Sequence, residues 1–159
     1  MYHYILQIYQ EPHREKDFAT EEHFINHPDL IPVADYIKTV HERDVAIQRF
    51  GHWFTENHMG IFFGDSFTLA PDAQSHYFKN RFSEFKQNLK ALDAVTESLY
   101  IHNHNYVENL LSDLVSNFSN RRCSYIMESY GPPIPFDKFI RIAVLGKPYY
   151  IGAVLEYHC

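Results

Sequence analysis

The residues best suited to chemistry are the histidines, of which the chain has eleven. His23 and His27 lie four apart, so on a helix both imidazoles would share one face and could bind zinc. The proline that follows His27 disfavours a helix there. His102 and His104 alternate, so on a strand both would point the same way, with Glu108 nearby as an acid. No aspartate and further histidine follow this pair, so we expect no metal and no cofactor. A metal-dependent hydrolase that uses His102, His104 and Glu108 remains an alternative.

Nucleophile and phosphate-site motifs are missing from the sequence. It contains no G-x-S-x-G, no P-loop and no G-x-G-x-x-G. Cys123 follows two arginines, whose charge would favour a reactive thiolate, but it also opens an apolar segment, where a cysteine is usually a small buried residue. With two cysteines in all, we expect a reduced, cytoplasmic protein without a disulfide scaffold. The sequence therefore favours a binding protein without catalytic residues over an enzyme.

The formal net charge of -6 arises entirely in the first part of the chain. Residues 1–70 contain eleven acidic and five basic residues, whereas residues 71–159 contain nine of each. An acidic surface repels nucleic acid and anionic membranes and attracts a basic protein. We therefore expect no direct DNA binding, no membrane binding, and a basic partner such as a nuclease or another nucleic-acid-binding enzyme. The predicted partner-binding residues are six acids of this part: Glu11, Glu15, Asp17, Glu21, Glu22 and Asp29.

Tyrosines in the segments with strand composition suggest another kind of interface. Six tyrosines lie in such segments: Tyr2, Tyr4, Tyr9, Tyr149, Tyr150 and Tyr157. Tyrosine is enriched at interfaces because it combines a large rigid area with a polar tip. A structural homo-oligomer joined through a tyrosine-rich sheet is therefore a further alternative.

The order of the elements predicts an α+β fold in a single domain, residues 1–159. Strand signals occur at 2–9, in a hairpin at 61–63 and 67–69, at 123–127, and in a C-terminal hairpin of 139–145 with 149–157. They predict a mostly antiparallel sheet of about six strands, with about three helices packed on one face. Within the domain we distinguish an acidic N-terminal lobe at about 1–70, a helical segment at about 71–120 and a C-terminal β-hairpin region at about 121–159.

Three helices are predicted from apolar periodicity and capping signals. The first begins near Thr39, because Thr39 and Glu42 match a capping box. The second follows Pro71 and carries an apolar seam, which we expect to be buried against the sheet: Phe78, Phe82, Phe85, Leu89 and Leu92. The third begins at 103–105, where Asn105 and Glu108 form another capping pair, and its apolar face contains Val107, Leu110, Leu111, Leu114 and Phe118.

Two segments, Val33–Ile37 (VADYI) and Arg43–Phe54 (RDVAIQRFGHWF), resemble small uncharacterised accessory proteins of bacterial mobile elements. Some proteins of that group are antirestriction or anti-CRISPR inhibitors, which are often small and acidic. The resemblance implies an inhibitory role of this kind, and it assigns no functional residue. Together with the charge distribution, it predicts a non-catalytic protein-binding domain that inhibits or modulates a nucleic-acid-handling enzyme.

Overall fold

The computed structural model describes residues 2–25, 36–118 and 124–158. Its strands are β1 (Tyr2–Tyr9), β2 (Tyr36–Thr39), β3 (Gly60–Phe63), β4 (Ser66–Leu69), β5 (Tyr125–Glu128), β6 (Ile134–Pro135) and β7 (Pro148–His158). Its helices are a 3₁₀ turn (Glu15–Asp17), α1 (Glu21–Ile25), α2 (Arg43–Glu56), α3 (Ala73–Asp93), α4 (Glu97–His102), α5 (His104–Phe118) and α6 (Phe136–Ile142). The fold is α+β, as predicted. Across these three stretches, every helix is too short or too polar to span a lipid bilayer.

The seven strands of the described residues form one mixed sheet, in which six follow the order β3-β4-β7-β1-β5-β6 and the seventh, β2, pairs with β7. β7 occupies its centre: β1 pairs along one side, while β4 and β2 pair with opposite ends of the other side. β1 and β5 are parallel, and the other pairings are antiparallel. The sheet is therefore mostly antiparallel, as the sequence predicts, and the predicted β3–β4 hairpin is confirmed.

A β-bulge interrupts the pairing of the two central strands. Gly152 and Ala153 of β7 lie opposite the single residue Gln7 of β1. A bulge removes backbone groups from the ladder, and here the Gln7 side chain accepts the N–H of Ala153 at 3.2 Å. A Cβ at position 152 would approach the ring of Tyr9 to 2.5 Å, so glycine is the residue that fits.

Both faces of the central strands are buried, so helices cover the sheet on two sides rather than on the predicted one. On one face, Phe24 of α1 packs in a cluster with Ile5 of β1 and Leu155 of β7. Strand side chains alternate between faces, and the opposite face carries an aromatic cluster from α2, β4, α6 and β7: Phe50, Phe54, Phe67, Phe136, Phe139 and Tyr149. The near-continuous apolar runs of β1 and β7 are typical of strands buried on both faces.

The described residues form two compact units. Unit 1 comprises those of Met1–His76 and Arg122–Cys159, and unit 2 comprises those of Tyr77–Arg121. Unit 1 contains every strand of the sheet, whereas unit 2 contains most of α3 together with α4 and α5. The described residues before Tyr77 and those from Ser124 onward thus belong to one unit, and residues 77–118 belong to the other.

The predicted strand at 139–145 is wrong, because α6 occupies most of this segment. Phe136, Phe139 and Ile140 are buried, whereas Ile142 is 65% exposed. Burial at positions i, i+3 and i+4 is typical of a helix. The β-branched composition of the segment favoured a strand, but the tertiary requirement to bury one helical face outweighed it. β7 consequently pairs with β1, β2 and β4 instead of with a C-terminal hairpin partner.

The predicted capping boxes are also wrong. α2 begins at Arg43, and the side chain of its N-cap residue, Glu42, makes no capping hydrogen bond. Thr39 belongs to β2, where its N–H and its hydroxyl both donate to the carboxylate of Glu21. A tertiary contact thus replaces the local capping pair. Further along, α4 was not predicted, and α5 begins at His104, so Asn105 lies inside that helix.

The apolar seam of α3 is helical, but the prediction that it is buried is wrong. Of the 21 residues of α3, only Ala73 is buried. Phe82 is 63% exposed and Leu89 is 37% exposed, while Phe78, Phe85 and Leu92 are partly exposed. The two sheet faces are covered by α1, α2 and α6, and most of α3 belongs to unit 2.

Candidate functional site

A surface groove of about 620 Å³ in unit 1 collects acidic side chains from three elements. Glu15 comes from the 3₁₀ turn, Glu42 and Asp44 come from the start of α2, and Asp65 comes from the β3–β4 turn. All four are exposed, the side chain of Asp44 to 88% and that of Asp65 to 58%. We call this site the acidic groove. Its other lining residues are Phe18, His41, Arg43 and Val45.

Arg43 joins the acidic groove to the central sheet. Its Nε donates to the carbonyl oxygen of Gly152 at 2.7 Å, and its Nη2 donates to that of Ile151 at 2.5 Å. A bulge leaves backbone groups without ladder partners, and the guanidinium supplies donors for these two carbonyls. The guanidinium carbon also lies 5.0 Å from the ring centre of Phe18, a cation–π contact. The Arg43 guanidinium is therefore held at the floor of the groove by these contacts.

The acidic groove keeps a negative charge in spite of Arg43. The Arg43 guanidinium lies 3.5 Å from the carboxylates of Asp44 and Asp65. Because both carboxylates are exposed, each pair contributes at most about 1 kcal/mol. The described lining residues include four carboxylates and one guanidinium, so the groove carries a net charge of -3 when His41 is neutral. A concave surface lined by one sign of charge concentrates the electrostatic field.

The start of α2 offsets part of the repulsion among these acids. Glu42 is the N-cap residue, and Asp44 lies in the first turn. The free N–H groups and the macrodipole at a helix N-terminus favour negative charge by about 0.3–1 kcal/mol for each residue. Two of the four acids thus occupy positions where the local backbone favours them, which helps to explain how like charges can share one groove.

Two tyrosines position the 3₁₀ turn that carries Glu15. The hydroxyls of Tyr9 and Tyr130 both donate to the carbonyl oxygen of Asp17, at 2.7 Å and 2.6 Å. Burial, followed by the effects of Tyr130 and Asp17, raises the pKa of Tyr9 to about 12. The Tyr9 hydroxyl therefore stays protonated and able to donate at any ordinary pH.

A second groove of about 320 Å³ lies beside the acidic groove and shares His41, Glu42 and Val45 with it. Its charged lining is balanced: Lys38 and Arg49 accompany two glutamates. Lys38 lies 3.2 Å from Glu156, with which it forms an ion pair. Of these two grooves, only the acidic groove carries an excess of negative charge.

The structure separates the six predicted partner-binding acids. Glu15 lines the acidic groove. Glu11 and Glu22 are exposed but lie outside its lining. Asp29 lies outside the described residues. The density of acids along the sequence thus identified one acid of the groove, Glu15. It could not show which of the other predicted acids lie outside the groove.

The two remaining predicted acids, Asp17 and Glu21, make contacts within the fold. Asp17 is partly buried, and its carbonyl oxygen accepts the two tyrosine hydroxyls. Glu21 binds Thr39, whose hydroxyl and then its N–H lower the pKa of the Glu21 carboxyl below its ordinary value. This contact joins α1 to β2, which is a structural role for Glu21.

Three groove acids were absent from the predicted set. Glu42 and Asp44 lie in the acidic N-terminal lobe, and their position at the start of α2 was the signal that could have found them. Asp65 carried no such signal, because the sequence marks it only as part of a glycine turn. Its place in the groove depends on the pairing of β4 with β7.

The alternative metal site is not assembled in the described residues. His102 ends α4 and His104 begins α5, so the predicted strand geometry is wrong, and Glu108 lies further along α5. Within the described parts of the chain, no group of three or more His, Cys, Asp or Glu side chains could hold a metal ion. His27 and Cys123 fall outside those parts.

Comparison with models of known protein families, with curated proteins and with solved structures yields no match to this chain. Function must therefore be inferred from the acidic groove itself.

Proposed function

We propose that this chain is a non-catalytic binding protein whose acidic groove receives lysine and arginine side chains of a protein partner. The observation that carries the proposal is the convergence of Glu15, Glu42, Asp44 and Asp65 on one groove with a single arginine among its described lining residues. Carboxylates accept charge-assisted hydrogen bonds from guanidinium and ammonium groups, which are about twice as strong as neutral ones. The groove thus matches a basic surface in both charge and chemistry.

The class of partner that fits is a nucleic-acid-handling enzyme. Such enzymes bind phosphates through clusters of lysine and arginine, and a concave row of carboxylates can occupy the same clusters. An inhibitor of this kind would compete with nucleic acid for the basic site. This class is the one predicted from the sequence, on the resemblance of residues 33–37 and 43–54 to accessory proteins of mobile elements. Of the second segment, Arg43, Asp44 and Val45 line the acidic groove.

Binding kinetics test the proposal. A partner captured from the native host is immobilised, and association and dissociation rates are measured by surface plasmon resonance at several salt concentrations. The Debye length falls from about 30 Å at 0.01 M salt to about 8 Å at 0.15 M. Attraction by the acidic groove should therefore make the association rate fall steeply with salt, while the dissociation rate changes less.

Two matched variants separate a local site from general acidity. The groove variant combines Glu15→Gln, Glu42→Gln and Asp44→Asn. The control variant combines Glu11→Gln, Glu22→Gln and Glu56→Gln, which removes the same charge from exposed positions outside the groove. We expect the groove variant to weaken binding at least roughly tenfold, or about 1.4 kcal/mol. Equal effects of the two variants would contradict a groove-specific site, and unchanged affinity in both would contradict acidic binding altogether.

A further inference from the structure

Helix α3 leaves part of its apolar seam exposed. In a helix, an apolar stripe at steps of three and four normally faces a partner element. Phe82 and Leu89 are seven residues apart, so they lie on one face of α3, and they are 63% and 37% exposed. Exposed contiguous apolar surface of this kind typically marks an interaction site.

Helices α4 and α5 of the same unit show a second exposed apolar surface. Val107 and Leu110 are buried, but Leu111 and Val115, on the neighbouring side of α5, are 48% and 62% exposed. Tyr100 of α4 is 69% exposed. The apolar face of α5 is thus wider than the part that the chain itself covers.

The exposed area is large enough for a stable interface. Seven apolar side chains of unit 2 contribute: Phe82, Leu89, Tyr100, Ile101, Tyr106, Leu111 and Val115, which are 37–69% exposed. With about 200 Å² for a fully exposed large side chain, they present roughly 750 Å². A standard interface buries about 600–1,000 Å² on each partner. The surface therefore suffices for a partner as large as another protein chain.

Charge complementarity identifies the partner. α3 carries four basic and two acidic residues, whereas α4 and α5 carry three acidic residues and no Lys or Arg. On α3, Lys79 and Lys86 each precede an exposed apolar residue of the stripe by three positions. On α5, Glu108 precedes Leu111 by the same spacing. Residues three apart are neighbours on a helix, so opposite charges flank the two apolar stripes in the same way.

We infer that unit 2 is a dimerisation module, in which α3 of one chain packs against α5 of a second copy. In a two-fold symmetric dimer the same patch serves both chains, so each contact occurs twice. The basic flank of α3 then meets the acidic flank of α5 at both symmetric positions. The two stripes together form an intermolecular helical bundle, whose core consists of the side chains that one chain leaves exposed. This interface is independent of the acidic groove in unit 1.

Sedimentation equilibrium of the full chain over about 1 μM to 1 mM tests the inference. We expect a monomer–dimer equilibrium in the wild type. The variant Phe82→Gln/Val115→Gln should raise the dimer dissociation constant at least tenfold. The control Phe63→Gln/Ile61→Gln removes two residues of β3 that are 82% and 73% exposed, and it should leave the constant unchanged. A wild type that is monomeric throughout, or a dimer that only the control disrupts, would overturn the inference.

A charge exchange tests the pairing of the helices separately from hydrophobic burial. The variant Lys79→Glu/Lys86→Glu makes α3 acidic, and the variant Glu97→Lys/Glu108→Lys makes α4 and α5 basic. Each variant alone places like charges across the interface and should dimerise at least tenfold more weakly. Mixed together, the two chains regain complementary pairs at both positions and should form a heterodimer. Failure to form it, with both chains folded by circular dichroism, would rule out the proposed pairing.

Discussion

The side chain of Gln7 joins three backbone groups around the bulge, and we predict that Gln7→Leu destabilises unit 1. Gln7 is completely buried. Its Oε1 accepts the N–H of Ala19 at 2.8 Å and that of Ala153 at 3.2 Å, and its Nε2 donates to the carbonyl oxygen of Ser129 at 2.8 Å. Leucine is similar in size but carries no polar atom, so all three groups would lose this partner.

The magnitude follows from the two N–H groups, whose hydrogen bonds to Gln7 are buried. Each buried polar group left without a partner costs about 1–3 kcal/mol, which gives about 2–6 kcal/mol for the pair. Burial of the apolar leucine offsets part of this cost. We therefore expect a net loss of about 2–4 kcal/mol, which is a large share of the 5–15 kcal/mol that typically stabilises a domain.

Urea denaturation followed by circular dichroism measures this loss. Gln10→Leu is the matched control, because Gln10 is exposed and makes one hydrogen bond, from its Nε2 to Glu128 at 3.0 Å. An exposed site of this kind should change stability by about 0.5 kcal/mol or less. Amide hydrogen exchange at Ala19 should accelerate in Gln7→Leu alone. A loss below about 1 kcal/mol for Gln7→Leu, or equal losses for the two variants, would refute this account of Gln7.

Three further predictions concern the core, a carboxyl group and a glycine. Phe54→Ala should cost about 3–5 kcal/mol in urea denaturation because Phe54 is fully buried, whereas Phe63→Ala, at a position that is 82% exposed and outside the proposed dimer interface, should cost less than about 1 kcal/mol. The contact with Thr39 lowers the pKa of Glu21 in the folded state. This contact therefore stabilises the fold above pH 4.5, and its contribution is lost as the pH falls below that value. In an acid titration, the stability advantage of wild type over Glu21→Gln should shrink over the same range. Gly60→Ala should lower the melting temperature markedly, since φ is +146° at this position and a Cβ would collide with a backbone carbonyl of β4.

The elements that could be predicted from the sequence are those with local signals. β1 is a run of aromatic and β-branched residues, and Gly64, which has φ of +61°, marks the β3–β4 turn that only a few residue types tolerate. α6 could not be predicted in this way, because Phe139 and Ile140 have the composition of a strand and reveal a helix only through their burial. The exposure of α3 could not be predicted from the sequence either, because the apolar periodicity of a helix is the same whether its own chain or another one covers the apolar face.

The acidic groove shows the same division between local and tertiary information. The density of acids identified Glu15, but Glu21 has the same residue type and lies only six residues further along the chain, and it binds Thr39 instead. Only the folded chain distinguishes an acid that faces solvent from one that serves a hydrogen bond. Asp65 is far from Glu15 in the sequence, and the two meet only because both of their segments are attached to β7 or its neighbours.

The bulge in β7 is the common attachment point of the elements that line the acidic groove. The N–H of Ile151 donates to the carbonyl oxygen of Asp65 at 2.7 Å. The carbonyl oxygen of Gly152 accepts a hydrogen bond from Nε of Arg43, at the start of α2. Opposite the bulge, the Gln7 side chain accepts the N–H of Ala19, in the segment that follows the 3₁₀ turn. Ile151 and Gly152 of β7, together with Gln7 of β1, thus hold all three acid-bearing elements. A site built on a rigid strand keeps its geometry before a partner arrives, which lowers the entropy lost on binding. The sheet can therefore set the spacing of the groove carboxylates for a partner, although each carboxylate lies in a turn or at a helix end.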